Sequence, residues 1–228
     1  GVVSNQRIIK MLNIVNDELV IEEKGIYSIE KFIVARRLMY WQVYLHKTVI
    51  SAEFLLVRIL ERAKFLAAND EVLFATPAFD LFLYNEIGEE EFKNPDVIEA
   101  FAQLDDFDIM SSVKVWCNHS DIVLSTLSEM LVNRNLLKVK LQKEPFSKEA
   151  IHDLKKKVSA DFGISMEEAN YFVFTNWIEN NAYNPASDKI NIRYKDGSVK
   201  DITEASDNLN IQALAQPVRK YYLCYPKL

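Results

Sequence analysis

The stretch Ser28–Ala68, SIEKFIVARRLMYWQVYLHKTVISAEFLLVRILERAKFLAA, sets the fold class of this chain. Its apolar residues return every three or four positions, which predicts one long amphipathic helix running from Ser28 through His46 to about Ala68. Its middle, ARRLMYWQVYLHKTV (Ala35–Val49), is unlike an ordinary helix surface, with two arginines, two tyrosines, a tryptophan, a histidine and a lysine close together. A helix turns by about 100° per residue, so with Arg36 at zero, Tyr40 falls near about 40°, Tyr44 near about 80° and Lys47 near about 20°. Arg36, Tyr40, Tyr44 and Lys47 therefore share one broad stripe. A guanidinium can grip phosphate oxygens in pairs and an ammonium adds a point charge. A tyrosine offers a ring face and a hydroxyl. Two readings of the stripe are open: the rings pack in the core while the cations reach out to water, or the face receives an anionic, ring-bearing ligand.

Working outward, the N-terminal GVVSNQRIIKML reads as an amphipathic helix already under way, which leads us to expect a piece of a longer protein. NIVNDELVIEE alternates around Asn16-Asp17 and predicts a short hairpin near 13–23. After the long helix, Thr76-Pro77 and Asn94-Pro95 each read as a cap followed by proline at the first helical position. Helices are expected over Asp106–Cys117 and over Ser120–Val132, the second capped by Ser120. LDDFDI, with Asp105, Asp106 and Asp108, reads as a helix start that complements the N-terminal dipole.

The pattern changes near Asn133. LLKVKLQ alternates as a strand, and SKEAIHDLKKKVSADFG is a helix with Ser147 as cap and Gly163 as stop. NYFVFTNWIE is strand-like, INIRY and SVKDIT flank the hairpin signal Lys195-Asp196-Gly197, NLNIQALAQ is a short helix and RKYYLCYP a last strand. The resulting order, β-α-β-β-β-α-β, predicts a ferredoxin-like α+β unit with one extra strand. The expected fold is a mainly α-helical N-terminal part, 1–132, followed by a smaller α+β domain, 133–228.

Composition excludes several classes. The chain has 228 residues, is 49% hydrophobic and 26% charged, and carries a net charge of -6. An acidic chain is a poor general binder of nucleic-acid backbones. Cys117 and Cys224 form no CxxC pair, which speaks against a disulfide framework or zinc site and suits a reducing, cytoplasmic setting. No apolar run is long enough to predict a membrane span. His46, His119 and His152 show no metal-ligand spacing, and no Walker, G-x-G-x-x-G or G-x-S-x-G motif occurs. His152-Asp153 lies in the charged SKEAIHDLKKK and reads as a solvated helix face.

The segment EEKGIYSIEKFIVARRLMYWQVYLHKTVISAE resembles the region that follows the catalytic core in HD-domain phosphohydrolases, most nearly the deoxynucleoside triphosphate triphosphohydrolase branch. The likeness covers Val20–Glu53: the EEKG segment, Arg36, then Tyr44, His46 and Lys47 as Tyr-x-His-Lys. NRNLLK, Asn133–Lys138, is similar to an Arg-Asn-Leu-x-Lys stretch of that family. The resemblance implies that Arg36 contacts a substrate triphosphate and that Tyr44 lies against the nucleoside, with Tyr40, His46 and Lys47 in the same binding region. Tyr40 departs from those relatives that carry a histidine there. The resemblance further implies an effector-nucleotide role for Arg134 and Lys138, and self-association into a homo-oligomer. The family's metal ligands belong upstream of Gly1, so a divalent metal is expected in the parent protein and none on this chain, which alone should be inactive. A nucleotide-binding regulatory or assembly module, and an HD enzyme acting on another phosphate ester, are the competing expectations.

Overall fold

In the computed structural model, which describes residues 3–180, 182–208, 211, 214 and 216–227, the predicted long helix is two helices with a π-helical turn between them. The first, α2, is Ile26–Met39, the π turn is Tyr40–Tyr44, and α3 is Lys47–Ala67. The turn is closed by the Leu45 N–H donating to the Tyr40 carbonyl at 2.7 Å, five residues back. Leu45 then leaves helical geometry at φ -101°, ψ 21°. A π turn inserts a single residue, a shift too local for the three-to-four spacing of so long an apolar run to reveal, so periodicity alone passes over it.

The chain divides into two units, one of Gly1–His46 with Trp177–Tyr221 and one of Lys47–Asn176 with Tyr222–Leu228. The first unit holds α1 (Asn5–Lys10), strands β1 (Leu12–Val15) and β2 (Glu18–Glu22), and α2. Asn16 and Asp17 both adopt left-handed backbone between β1 and β2, with Val15 opposite Glu18, which is the expected hairpin. Beside β2 lies β5 (Asn191–Arg193) in parallel pairing, and β6 (Val199–Asp201) follows β5 antiparallel. The core beneath this sheet gathers Ile21, Ile29, Ile33, Tyr183, Ile192 and Ile202. Gly25 leads into α2 where the chain passes against β2, and a Cβ there would lie 2.5 Å from Ile21 Cγ2. The Tyr183 hydroxyl donates to Asp201 and accepts from the Ile190 N–H, tying the start of β5 to the end of β6 beside it. Asp201 in turn caps the short α9 (Ile202–Ala205).

The second unit is built on α3. Its inward face of Ile50, Leu55, Ile59, Ala63 and Leu66 is buried, and α7 (Ile122–Val132) and β3 (Lys138–Gln142) pack on it. Asp70, left-handed at φ 63°, ends α3, while the Glu71 N–H returns to the Leu66 carbonyl. Helices α4 (Pro77–Tyr84), α5 (Pro95–Gln103) and α6 (Asp106–Trp116) follow, then α8 (Lys148–Phe162). The expected prolines begin α4 and α5, Asp105 and Asp108 form a reciprocal capping box on α6, Ser147 caps α8, and Gly163 ends it at φ 65°. The cap of α7 differs from expectation: Asp121, not Ser120, accepts from the Leu124 N–H.

Two expectations at the level of topology differ from what is seen. Among the described residues the strands after Asn133 divide between two sheets and do not make one ferredoxin-like sheet: β5 and β6 join β2, while β3, β7 (Val218–Tyr225) and β4 (Phe174–Asn180) make a separate sheet with β7 central. The two units are accordingly not consecutive halves joined near Asn133; the boundary falls after His46 and again within β4 and β7. Most of the helix expected in NLNIQALAQ lies outside the described residues.

Arg62 is the polar centre of the second unit. It is 7% exposed and pairs with both oxygens of Asp121, Nε to Oδ1 at 3.1 Å and Nη2 to Oδ2 at 2.5 Å, and Nη2 also reaches Glu168 Oε1 at 3.1 Å. Burial alone would raise the Asp121 carboxyl, but Arg62 and the Leu124 N–H outweigh it and hold the group below its ordinary range. One cation thus fixes α3 to the start of α7 and to the turn Glu168–Tyr171. We predict that Arg62→Met lowers unfolding free energy by about 3 kcal/mol, because Asp121 is left half-desolvated. Adding Asp121→Asn should recover part of that loss in a urea-denaturation double-mutant cycle; additivity of the two changes would refute the coupling.

Burial also pushes the Cys224 thiol up from 9.0 to about 12, and burial beside Cys224 pushes the Tyr222 hydroxyl up from 10.0 to about 12. Both groups hold their protons more tightly folded than unfolded, so this stability is full below the unfolded values and is lost as pH rises toward 12. The urea midpoint should therefore fall between about pH 8 and about pH 11, and Cys224→Ala should flatten that slope. An unchanged slope in the variant would remove Cys224 as its source.

Candidate functional site

The π turn is the local feature that gathers candidate binding groups in the first unit. It brings the rings of Tyr40 and Tyr44 to 5.3 Å between centroids, tilted by 57°. One helical turn earlier, the Arg36 guanidinium lies 5.5 Å from the Tyr40 ring centroid, and its Nη1 donates to the Ala182 carbonyl at 3.1 Å. Arg36 is thereby oriented while staying exposed, Tyr40 is half-buried, and Tyr44 is 55% exposed. The core-packing reading of this stripe therefore does not hold for Tyr44, whose ring lies largely in solvent. π turns recur at functional sites because the inserted residue turns side chains out of the regular helical succession.

The other expected residues are placed as follows. His46 is exposed just past the turn, and Lys47 is the exposed first residue of α3, in the second unit. Arg134, left-handed at φ 57°, and Lys138, the first residue of β3, are exposed at either end of the short link from α7 to β3, in which Leu137 is buried. His152 and Asp153 lie on the exposed face of α8, and Asp105 and Asp108 are occupied in capping α6. Among the described residues no group of three or more histidines, cysteines or carboxylates gathers to hold a metal.

Sequence reasoning missed Trp41 and Lys220. The Lys220 ammonium, from β7, lies 3.9 Å from the centroid of the Trp41 ring. Trp41 was legible as a ring-bearing neighbour of Tyr40, but a lysine 179 positions further on carries no local signal of the pairing. It missed Arg62 as well. A cleft of about 620 Å³ in the second unit is lined by Arg58, Arg62, Phe65, Glu167, Asn170 and Tyr171. Its guanidiniums are already engaged, Arg58 by Glu61 at 2.6 Å and Arg62 by Asp121 and Glu168. An incoming anion would have to displace carboxylates there, which makes the π-turn cluster the better anion site.

Residues 3–72, which include the whole of that cluster, match the family model described as HD associated region. The chain is 32% identical over 131 residues to the uncharacterized protein YwfO of Bacillus subtilis (strain 168), a match covering 58% of this chain and 28% of that protein. Among solved structures, a phosphohydrolase from Bacteroides thetaiotaomicron VPI-5482 superposes with a TM-score of 0.91 at 55% identity, over 99% of this chain and 56% of that one. A hypothetical protein from Aquifex aeolicus shares the fold at a TM-score of 0.62 and 19% identity, over 100% of this chain and 49% of that one. The chain thus spans about half the length of these solved relatives and under a third of YwfO. The likeness to HD-domain phosphohydrolases is supported by sequence and by structure.

The exposure of the cluster has a stability consequence. Tyr44→Ala should shift unfolding free energy by no more than about 0.5 kcal/mol, as at ordinary surface positions. A loss above about 2 kcal/mol in urea denaturation would return the ring to the core.

Proposed function

We propose that this chain is the portion of an HD-domain phosphohydrolase that binds a nucleoside triphosphate, with the hydrolytic metal centre held by the part of the protein beyond it. The observation that carries this reading is the solvent-facing set Arg36, Tyr40 and Tyr44 on a π turn inside the HD associated region. Arg36 takes the phosphate oxygens, where a planar fork gives both charge and geometry. Tyr44 lies against the nucleoside, and Tyr40 holds the guanidinium and the second ring in register. His46, exposed just past the turn, extends the binding region. The described residues offer no ligand set for a divalent metal, so no bond-breaking step is assigned to them. When bound in the parent protein, such a metal supplies an activated water and neutralises phosphate charge.

The outer side of α2 supports the same reading. Tyr27, Val34 and Leu38, spaced along one side of the helix, are all exposed, Leu38 by 50%. A helix apolar on both sides is a buried helix. The reading places the metal-bearing part of the protein over this side. It also takes the parent as a cytoplasmic homo-oligomer in which Arg134 and Lys138 bind an effector nucleotide. No helix among the described residues is long and apolar enough to cross a membrane.

The test is triphosphate release by the full-length protein with a divalent cation and each of the four deoxynucleoside triphosphates. Release is expected from at least one, with Arg36→Ala lowering kcat/KM by about 10²-fold or more and Tyr44→Ala acting mainly on KM. Hydrolysis of only other phosphate esters would move the substrate class. Nucleotide binding without any hydrolysis, with metal bound, would leave a regulatory module in place of the enzyme.

A further inference from the structure

The segment Glu86–Asp108 carries nine carboxylates and one lysine, a net charge of -8 within a chain whose total is -6. The remaining 205 residues together are therefore slightly basic, at +2. The segment folds as the chain after α4, the turn Glu91–Lys93, α5 and the first turn of α6; the turn meets α5, and α4 packs against both α5 and α6 in the second unit.

Aromatic residues stand among these charges. Phe82, Phe92 and Phe101 meet edge to face and tilted, with centroids 5.5–6.3 Å apart. Phe101 is nevertheless 56% exposed, and Phe107, in the first turn of α6 between Asp106 and Asp108, is 80% exposed. Ile98 is exposed on α5 as well. Isolated exposed apolar residues are ordinary, but several rings inside a dense carboxylate field are not explained by folding the unit. Their shared surroundings narrow what can cover them. An anionic lipid surface or a nucleic acid is repelled by the charge. A symmetric contact with a second copy would set -8 against -8.

We infer that this acidic aromatic face, at α5 and the start of α6, docks a basic amphipathic helical segment of a different protein. The apolar side of such a helix covers Phe101, Phe107 and Ile98, while its lysines and arginines meet the carboxylate rim, among them Glu99 and Asp106. Charge of this kind steers the encounter and makes it salt-dependent, and the rings supply most of the holding energy. The inference does not depend on the substrate reading, because it concerns a different unit from the π-turn cluster.

The probe is a synthetic amphipathic helix of lysine and leucine of about 18 residues, titrated into the encoded full-length protein by calorimetry or fluorescence. Two control peptides keep its charge without the apolar side, or its apolar side with glutamates. Saturable binding of the first peptide alone is expected, weakened about tenfold or more between about 50 and 300 mM salt. The double variant Phe101→Ser/Phe107→Ser should weaken it by about tenfold or more with its thermal midpoint little changed, since both rings are exposed. The variant Glu99→Lys/Asp106→Lys is a second arm that leaves the rings in place and should also lose binding. Equal binding of the peptide lacking an apolar side, or undiminished binding by both variants, would overturn the inference. Binding by the 228-residue chain and not by the full-length protein would assign the face to an intramolecular contact. A phenylalanine variant that changes the oligomeric state by light scattering would assign it to a second copy.

Discussion

The hydrogen bond from the Leu45 N–H to the Tyr40 carbonyl, one residue longer than a helix allows, is the constraint on which the rest of the molecule depends. It separates α2 from α3, and each helix then serves its own core: Ile29 and Ile33 in one unit, Ile50, Leu55 and Ile59 in the other. The same inserted residue sets Tyr40 and Tyr44 against each other with Arg36 behind them. A regular helix could bring these three residues to one stripe, as their spacing predicts, but without the abrupt end that leaves Tyr44 in solvent. The structural break and the candidate site are therefore one feature.

The second unit meets a different problem, how to hold helices together around a charge. Arg62 sits on the inner side of α3, where a leucine would be the ordinary choice. Removing a guanidinium from water is costly, and the cost is offset only if nearly all of its donors find acceptors. Asp121 meets the guanidinium side-on, through Nε and Nη2, while also capping α7, and Glu168 meets it while closing its own turn through Ser165. The rings of Phe65 and Tyr171 lie over it at 5.1 and 5.3 Å. The carboxylates are thus fixed twice, by backbone and by cation, which specifies how three chain segments meet in a way that apolar packing alone leaves looser.

What was legible in the sequence was local. Asn16-Asp17, Asp105 with Asp108, Ser147 and Gly163 each act within four residues of themselves, and each does in the structure what its chemistry dictates. The displaced cap at Asp121 shows the limit of that reasoning, since both Ser120 and Asp121 suit the position, and Asp121 is also the residue that Arg62, 59 positions away, engages. Strand partners were not legible for a related reason. β2 pairs with β5 across about 170 residues, and alternation in either strand states that it is a strand without naming its neighbour. A β-α-β-β-β-α-β order is compatible with one sheet or two, and the N-terminal hairpin, an edge in need of cover, draws β5 and β6 to itself. For the site, residue types and spacing located Arg36, Tyr40 and Tyr44, while Lys220 over Trp41 required the fold.

The exposed apolar residues of the molecule fall into two chemically distinct kinds, and the difference bears on how each is used. On α2, Tyr27, Val34 and Leu38 are exposed with Lys31 as the exposed charge among them, while Glu30 is buried and accepts from the Ser206 hydroxyl, so the helix carries little charge along that side. Surfaces that are apolar and nearly neutral resemble a core cut in half, the character of contacts that form once and persist. At α5 and α6, the rings stand inside a field of carboxylates met by few cations, Lys93, which pairs with Glu90, and Lys64, which donates to the Phe82 and Asn85 carbonyls. A face so charged keeps itself from collapsing onto its like and binds chiefly when an opposite charge arrives, so its contacts respond to salt and to partner concentration. The same net charge of -6 thus conceals a nearly neutral molecule with one strongly acidic face, and it is the distribution, not the total, that selects partners.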